Sequence, residues 1–230
     1  LPKIYEAIPE EDPMNTLKTV TALAVAVLGT GVLATVAIAA PAASPSYHWL
    51  TGNPNGTYKI DPQHTEVLFI LGHVGIAPFT GRFDKISGTY TFDNKDPQKD
   101  QVHITIPAAS IDTDFALRDE HLRSKLFFDV KKYPEVTFVS TKYQPTGKET
   151  GKLFGNLTLH GVTKPVVFQV RTGGAGKVAY LPKPWGGYLS GFVASTSIKR
   201  SDYGMTAYLP EGLSNTIHIK VEVEGIRQPG

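Results

Sequence analysis

One pattern limits this chain more than any other. From about residue 58 to residue 223, apolar and polar residues alternate with a period of two, and no long helical pattern falls between the alternating runs. Val67, Phe69, Leu71 and His73 share one face. Val102, Ile104 and Ile106 alternate with His103 and Thr105, and Val136 and Phe138 with Thr137 and Val139. Leu153, Gly155, Leu157 and Leu159 alternate with Phe154, Asn156 and Thr158. Val166, Phe168 and Val170, then Phe192 and Ala194, then Ile217, Ile219, Val221 and Val223 continue the pattern. A period of two sends successive side chains to opposite faces of a strand. With the stretch 81–92, GRFDKISGTYTF, the chain offers about eight strands. Asp93-Asn94, Pro145-Thr146-Gly147, Gly173-Gly174 and Pro182 read as the turns between them, in a chain of 22 Gly and 17 Pro.

The absence of crossover helices excludes a parallel sheet and leaves an antiparallel one. About eight antiparallel strands close into a barrel, because closure removes exposed edges. The expected fold class is therefore all-β, an eight-stranded antiparallel barrel. Such a barrel is filled by side chains or holds one ligand. Its expected inward residues are Phe69, Leu71, His73, Phe83, Ile104, Ile106, Phe138, Leu157, Phe192, Ala194 and Ile219. Gly155, Gly191 and Ala194 leave room among them. Only His73 in this set can ionise, so the lumen suits an apolar ligand.

The stretch 110–134, SIDTDFALRDEHLRSKLFFDVKKYP, carries the one soluble helix signal. Asp112, Thr113 and Asp114 offer N-cap side chains. Asp119 and Arg123 are spaced i,i+4, and Leu122 and Leu126 share another face with Phe127 and Phe128 just beyond. Pro134 disfavours a helical Tyr133. The stretch reads as a short helical lid. Leu122, Leu126 and Phe127 would face the lumen, while Arg118, His121 and Arg123 could meet a polar head group.

Residues 19–40 contain no charge, and 22 helical residues would span roughly 33 Å. Two readings stay open for this hydrophobic helix: a secretory signal peptide cut near the small residues at 37–42, or a transmembrane anchor. Residues 1–18 precede it as a leader, or, for 1–13, as upstream translation. Residues 41–57 are a Pro/Ser/Gly/Asn linker in which Trp49 and Leu50 could pack on the domain. The barrel would then occupy 58–227. Both readings put it outside the cytoplasm, free or anchored to a membrane by residues 19–40.

Candidate chemistry is sparse. There are no cysteines, which removes thiolate metal sites and thiol catalysis. The seven histidines are scattered, with no HxH or HExxH spacing, so no metal is expected. His64, after Asp61-Pro62, reads as a lock on a strand-entry turn. Asp112, Asp119, His121 and Asp202 could form an acid/base pair, but Arg118, Arg123 and Arg200 would balance them as a polar network. Gly173-Gly174-Ala175-Gly176 reads as a hairpin loop and not as a phosphate cradle. No Gly-x-Ser-x-Gly elbow occurs. The net charge of +2 argues against a dedicated nucleic-acid binder.

Several motifs then fall in order: Tyr58-Lys59-Ile60-Asp61-Pro62-Gln63-His64-Thr65, Ser110-Ile111-Asp112-Thr113, Arg118 to Ser124, Phe127-Phe128-Asp129-Val130, Gly155 to Val166, and Arg200-Ser201-Asp202-Tyr203-Gly204-Met205. Over about residues 57–227 the chain resembles the YceI-like family of bacterial periplasmic proteins. The resemblance implies an extended lipocalin-like barrel, in the periplasm, with a long polyisoprenoid or isoprenoid-quinone chain in its lumen, and often a homodimer; on the residues, neither a covalent cofactor nor catalysis is expected. It departs from the family at Leu68, Ile70 and Gly72, where polar residues are usual. An apolar outer face there suggests a subunit or bilayer contact. The expected function is carriage or sequestration of an isoprenoid lipid. The alternative is a membrane-anchored accessory subunit of a quinone-using complex, held by residues 19–40 and by Leu68/Ile70.

Overall fold

The computed structural model describes residues 50–229. The expectations for residues 1–18 and 19–40, and for Trp49, lie outside the described residues. Among the described residues there are eleven strands: β1 (Gly56–Ile60), β2 (Glu66–His73), β3 (Ala77–Phe83), β4 (Ser87–Phe92), β5 (Val102–Pro107), β6 (Ile111–Asp112), β7 (Glu135–Pro145), β8 (Thr150–Leu159), β9 (Val162–Val178), β10 (Gly187–Lys199) and β11 (Thr216–Arg227). Among the same residues one α-helix, α1 (Ala116–Arg123), lies between β6 and β7.

The eight expected strands and the eleven observed ones are reconciled by three breaks. β11 pairs with β1 through Gly225–Arg227 and with β2 through His218–Glu222, so β1 and β2 are two halves of one run. In the same way β3 and β4 pair with β2 and β1, while β6 and β5 pair with β3 and β4. The ring β1-β4-β5-β7-β8-β9-β10-β11 closes through β1–β11, and every ladder in it is antiparallel. It is the eight-stranded antiparallel barrel expected, with β2, β3 and β6 extending one side of its wall.

Chemistry dictates the first break. Pro62 has no N–H to give a ladder. Asp61 accepts the Gln63 amide at 2.9 Å and the His64 Nδ1–H at 2.8 Å, so the chain turns there before pairing resumes. That is the lock expected of His64. The Asp61 carboxylate raises the His64 pKa, first through this hydrogen bond. Glu224 completes a small acidic group around it, with ligand-type atoms of the three residues within 4.8 Å of one another.

The alternation is realised as inward and outward faces. Val67 and Leu71 are buried, and Val221 and Val223 likewise. His103 and His218 point to solvent, as their parity requires. Leu68 and Ile70 face outward between Arg82 and Lys220 and between Thr80 and His218, and both are half-buried.

The Gly173–Gly176 run corrects the sequence reading. It is not a hairpin loop but part of β9, which runs unbroken to Val178. The linker explains the glycines. Leu50 lies across β9, its carbonyl accepting the Ala175 amide at 2.9 Å. A Cβ on Gly174 would sit 2.6 Å from the Leu50 nitrogen, and one on Gly176 would sit 2.9 Å from the Leu50 Cβ. Glycine here serves close approach, not a turn.

Candidate lipid cavity

Inside the barrel lies a cavity of about 140 Å³ whose exposed surface is wholly apolar. On the measure by which a single water needs about 10–15 Å³, this is space for roughly ten water-sized positions. Its walls come from β2, β3 and β5 to β11, with Phe138, Phe168 and Phe192 among the lining residues.

An aromatic plug closes the end nearest β1. Tyr58 and Tyr90 are stacked with ring centroids 5.0 Å apart, Phe92 meets Tyr90 edge-on at 5.6 Å, and Phe192 stands edge-on to Tyr90 at 5.2 Å. The buried Tyr90 hydroxyl donates to the Ser190 carbonyl at 2.8 Å. Burial pushes its pKa far up, so the plug carries no charge into the lumen.

The other end is covered by two segments. The first is 113–134, holding α1. The expected N-cap residues do not cap: Phe115 occupies that position with no side-chain bond to the helix. Instead Asp119, from inside the helix, accepts the Thr113 amide at 3.0 Å and the Thr113 hydroxyl at 2.5 Å. Asp119 therefore does not pair with Arg123. The Arg123 guanidinium donates to the Ala109 and Ile111 carbonyls at 2.8 and 2.7 Å. Among the described residues, β6 has β3 as its one strand partner, so this side chain stands where a further strand would bond. Arg118 donates to Thr113 through its Nε and one terminal nitrogen, and stacks on Phe79 at 4.4 Å.

The second covering segment is 200–215. Arg200 is 2% exposed and donates to the carbonyls of Ser214, Met205 and Leu213 at 2.9, 2.9 and 3.1 Å. It has no carboxylate partner among the described residues, and burial lowers its pKa. Three carbonyl dipoles replace a counter-ion and fold Met205 and Leu213 over the lumen.

Twelve of the fourteen residues expected inside line the cavity: Phe69, Leu71, Phe83, Ile104, Ile106, Leu122, Phe127, Phe138, Leu157, Phe192, Ala194 and Ile219. Two do not. His73 ends β2 at the hairpin tip, above the cavity, where its backbone bridges to Leu213. Leu126 is 49% exposed because α1 stops at Arg123: Ser124 is extended, and the i,i+4 relation to Leu122 no longer holds. Of the expected head-group residues, Arg118 and Arg123 each direct their Nε and one terminal nitrogen at the chain's own carbonyls and the Thr113 hydroxyl. His121 is exposed, with its ring 5.2 Å from Phe127 and 6.2 Å from Tyr208. Asp112 pairs with Arg82, and Asp202 lies exposed in a separate segment.

The alternation could have supplied further wall residues, such as Leu153 and Phe168. It could not supply Ile111, Arg200, Met205 and Leu213, which lie in short or irregular segments.

Residues 58–225 match the family model described as the YceI-like domain. The chain belongs to the YceI-like family. Among curated YceI-like relatives, a UPF0312 protein of Pseudomonas putida is 40% identical over 173 residues, covering 74% of this chain and 86% of that protein. Protein YceI of Salmonella arizonae is 42% identical over 173 residues, covering 74% and 87%. Among solved structures, the Campylobacter jejuni YCEI protein superposes with a TM-score of 0.58 at 32% identity, covering 68% of this chain and 90% of that one. A polyisoprenoid binding domain from Saccharophagus degradans gives 0.56 at 17% identity, covering 74% and 98%. At that identity it shows the shared fold.

Proposed function

We propose that this YceI-like barrel binds the chain of a long isoprenoid lipid, a polyprenyl or an isoprenoid quinone, and carries or sequesters it without catalysis. The observation that supports this is the cavity itself: wholly apolar, plugged at one end, and covered at the other by Leu122, Phe127 and Phe128. The domain from Saccharophagus degradans that shares its fold is a polyisoprenoid binding domain. Each buried methylene contributes roughly 0.8 kcal/mol. A few five-carbon units therefore suffice for binding without any strong polar contact. The present volume accepts only the first units, so a longer chain widens the lumen by displacing the covering segments.

The charge-free run at 19–40 supports an extracytoplasmic site of action, and a tether to the inner membrane if the run is retained. The same run favours a second reading, an accessory subunit of a quinone-using membrane complex.

Lipid extraction and mass spectrometry of protein purified from its own host test the first reading. Wild type is expected to yield stoichiometric isoprenoid. Ala194→Phe fills the lumen beside Phe192 at an overpacking cost of about 1–3 kcal/mol. It is expected to keep the strand circular dichroism and lose the lipid. A wild-type protein with no extractable isoprenoid and no uptake of a fluorescent prenyl probe overturns the reading.

A further inference from the structure

The covered end of the barrel carries a concentration of large apolar side chains in solvent. Ile76, at the β2–β3 tip, is 85% exposed, and Leu117, on the outer side of α1, is 69% exposed. Val74, Phe115, Leu126 and Tyr208 are exposed as well. These residues belong to one connected rim. The Val74 amide donates to the Gly212 carbonyl at 2.7 Å, and the Gly212 amide to the Tyr208 carbonyl at 3.0 Å. Tyr208 meets His121 of α1 at 6.2 Å, and Arg118 of α1 bridges Phe79 of β3 and Phe115 at 4.4 and 5.5 Å. The hairpin tip, the 205–213 loop and the lid thus form one surface, and Tyr208 stacks at 6.0 Å on Phe127, which lines the cavity.

We propose that this rim docks on the surface of a phospholipid bilayer, with Ile76, Leu117, Phe115 and Tyr208 entering the interfacial layer. Three observations select a bilayer over a protein partner. The rim is continuous with a cavity that has no polar surface, so a lipid leaving it meets apolar side chains before water. The apolar residues stand on separate elements (a hairpin tip, a helix start and a loop). Exposed charges of both signs flank the rim, Lys125, Lys131 and Lys132 with Asp114, Glu120 and Glu211, so charged tips can remain among head groups while the lysine stems lie on apolar surface. The first of these arguments rests on the lipid-binding reading above; the exposed rim itself does not.

Because the chain has no cysteine, each introduced one is a unique label site. Full-length chains carrying Ile76→Cys, Leu117→Cys or, as a remote control, Lys148→Cys in the β7–β8 turn would be labelled with an environment-sensitive dye. They would be mixed with vesicles of phosphatidylethanolamine and phosphatidylglycerol containing doxyl-labelled lipid. Labels at 76 and 117 are expected to shift to the blue and be quenched at least threefold more than the label at 148. Quenching of a Tyr208→Cys label should fall several-fold when Ile76→Ser and Leu117→Ser are combined with it. Equal quenching at all sites, or stronger quenching at 148, overturns the proposal. A blue shift at 76 that appears without vesicles as protein concentration rises also overturns it and assigns the rim to a second copy. Extractable isoprenoid without rim quenching removes the docking surface and leaves the cargo reading intact. Rim quenching with no extractable lipid does the reverse.

Discussion

Arg200 does at the residue scale what no sequence pattern announced. Its three carbonyl acceptors lie at 205, 213 and 214, in a segment without periodicity, so nothing local marks it as a buried residue. Removing it orphans those acceptors at about 1 kcal/mol or more each. Arg200→Met is expected to lower stability by about 3 kcal/mol or more in urea unfolding, and Arg200→Lys to recover only part of that loss. Asp100 is a second buried ionisable group. Its carboxylate accepts the Asp93 amide at 2.7 Å, yet burial lifts its pKa to about 7. The folded chain then holds a proton that the unfolded chain has already released between the ordinary carboxylate range and pH 7. This contribution to stability is thus full below that range, falls as pH rises toward 7, and is flat above. Asp100→Asn keeps the acceptor and removes the charge. It should stabilise by on the order of 1–2 kcal/mol at pH 8 and by nothing at pH 4, read from thermal melts at the two values.

Among elements, the strands were legible and the lid only half so. The strands follow from side-chain parity, which survives any detail of the turns; His103 and His218 face outward for that reason. The lid reading extended a helical face across Ser124, where the backbone leaves the helix, and so took in Leu126 along with Leu122. Glycine misled for a different reason. It permits turns and close approach alike, and Gly174 and Gly176 are needed for the second, under Leu50, a partner more than a hundred residues away in sequence. The polar face of α1 also changes meaning, since Arg118 and Arg123 fasten the helix to the wall. Leu122→Asp, placed against the cavity, is expected to reduce lipid retention several-fold. His121→Ala, on the exposed side, should leave retention near wild type; the reverse order in a quantitative lipid extraction would show that the helix works from its outer face.

For the whole molecule, closure of the sheet was legible because about eight alternating runs without crossover helices have few other solutions. The three breaks were less so. Pro62 announces the first and Pro107 immediately precedes the one at 108–110, whereas the one at 84–86 carries no comparable signal and emerges from the pairing of β3 with β2 and of β4 with β1. The plug was also hidden, because Tyr58, Tyr90 and Phe92 look like ordinary strand residues until closure brings them together. Filling differs from one end to the other, and stability should follow it. Hydrogen exchange is expected to be slowest in β8, β9 and β10 and at least tenfold faster in 113–134, whose backbone makes one short helix and turns in place of ladders.

The free edge of β6 has a kinetic consequence. Between Ile111 and the start of β7 there is no ladder to unzip; the gap is held by the Arg123 guanidinium on two carbonyls, by the Ala108 amide on the Pro134 carbonyl at 2.8 Å and by the apolar underside of the lid. A guest leaving sideways would face a barrier set by those contacts alone, while every other exit through the wall would require parting two paired strands. The barrel thus has a designated weak side, and the residence time of whatever it holds should be governed by Arg123 more than by any residue of the closed ring.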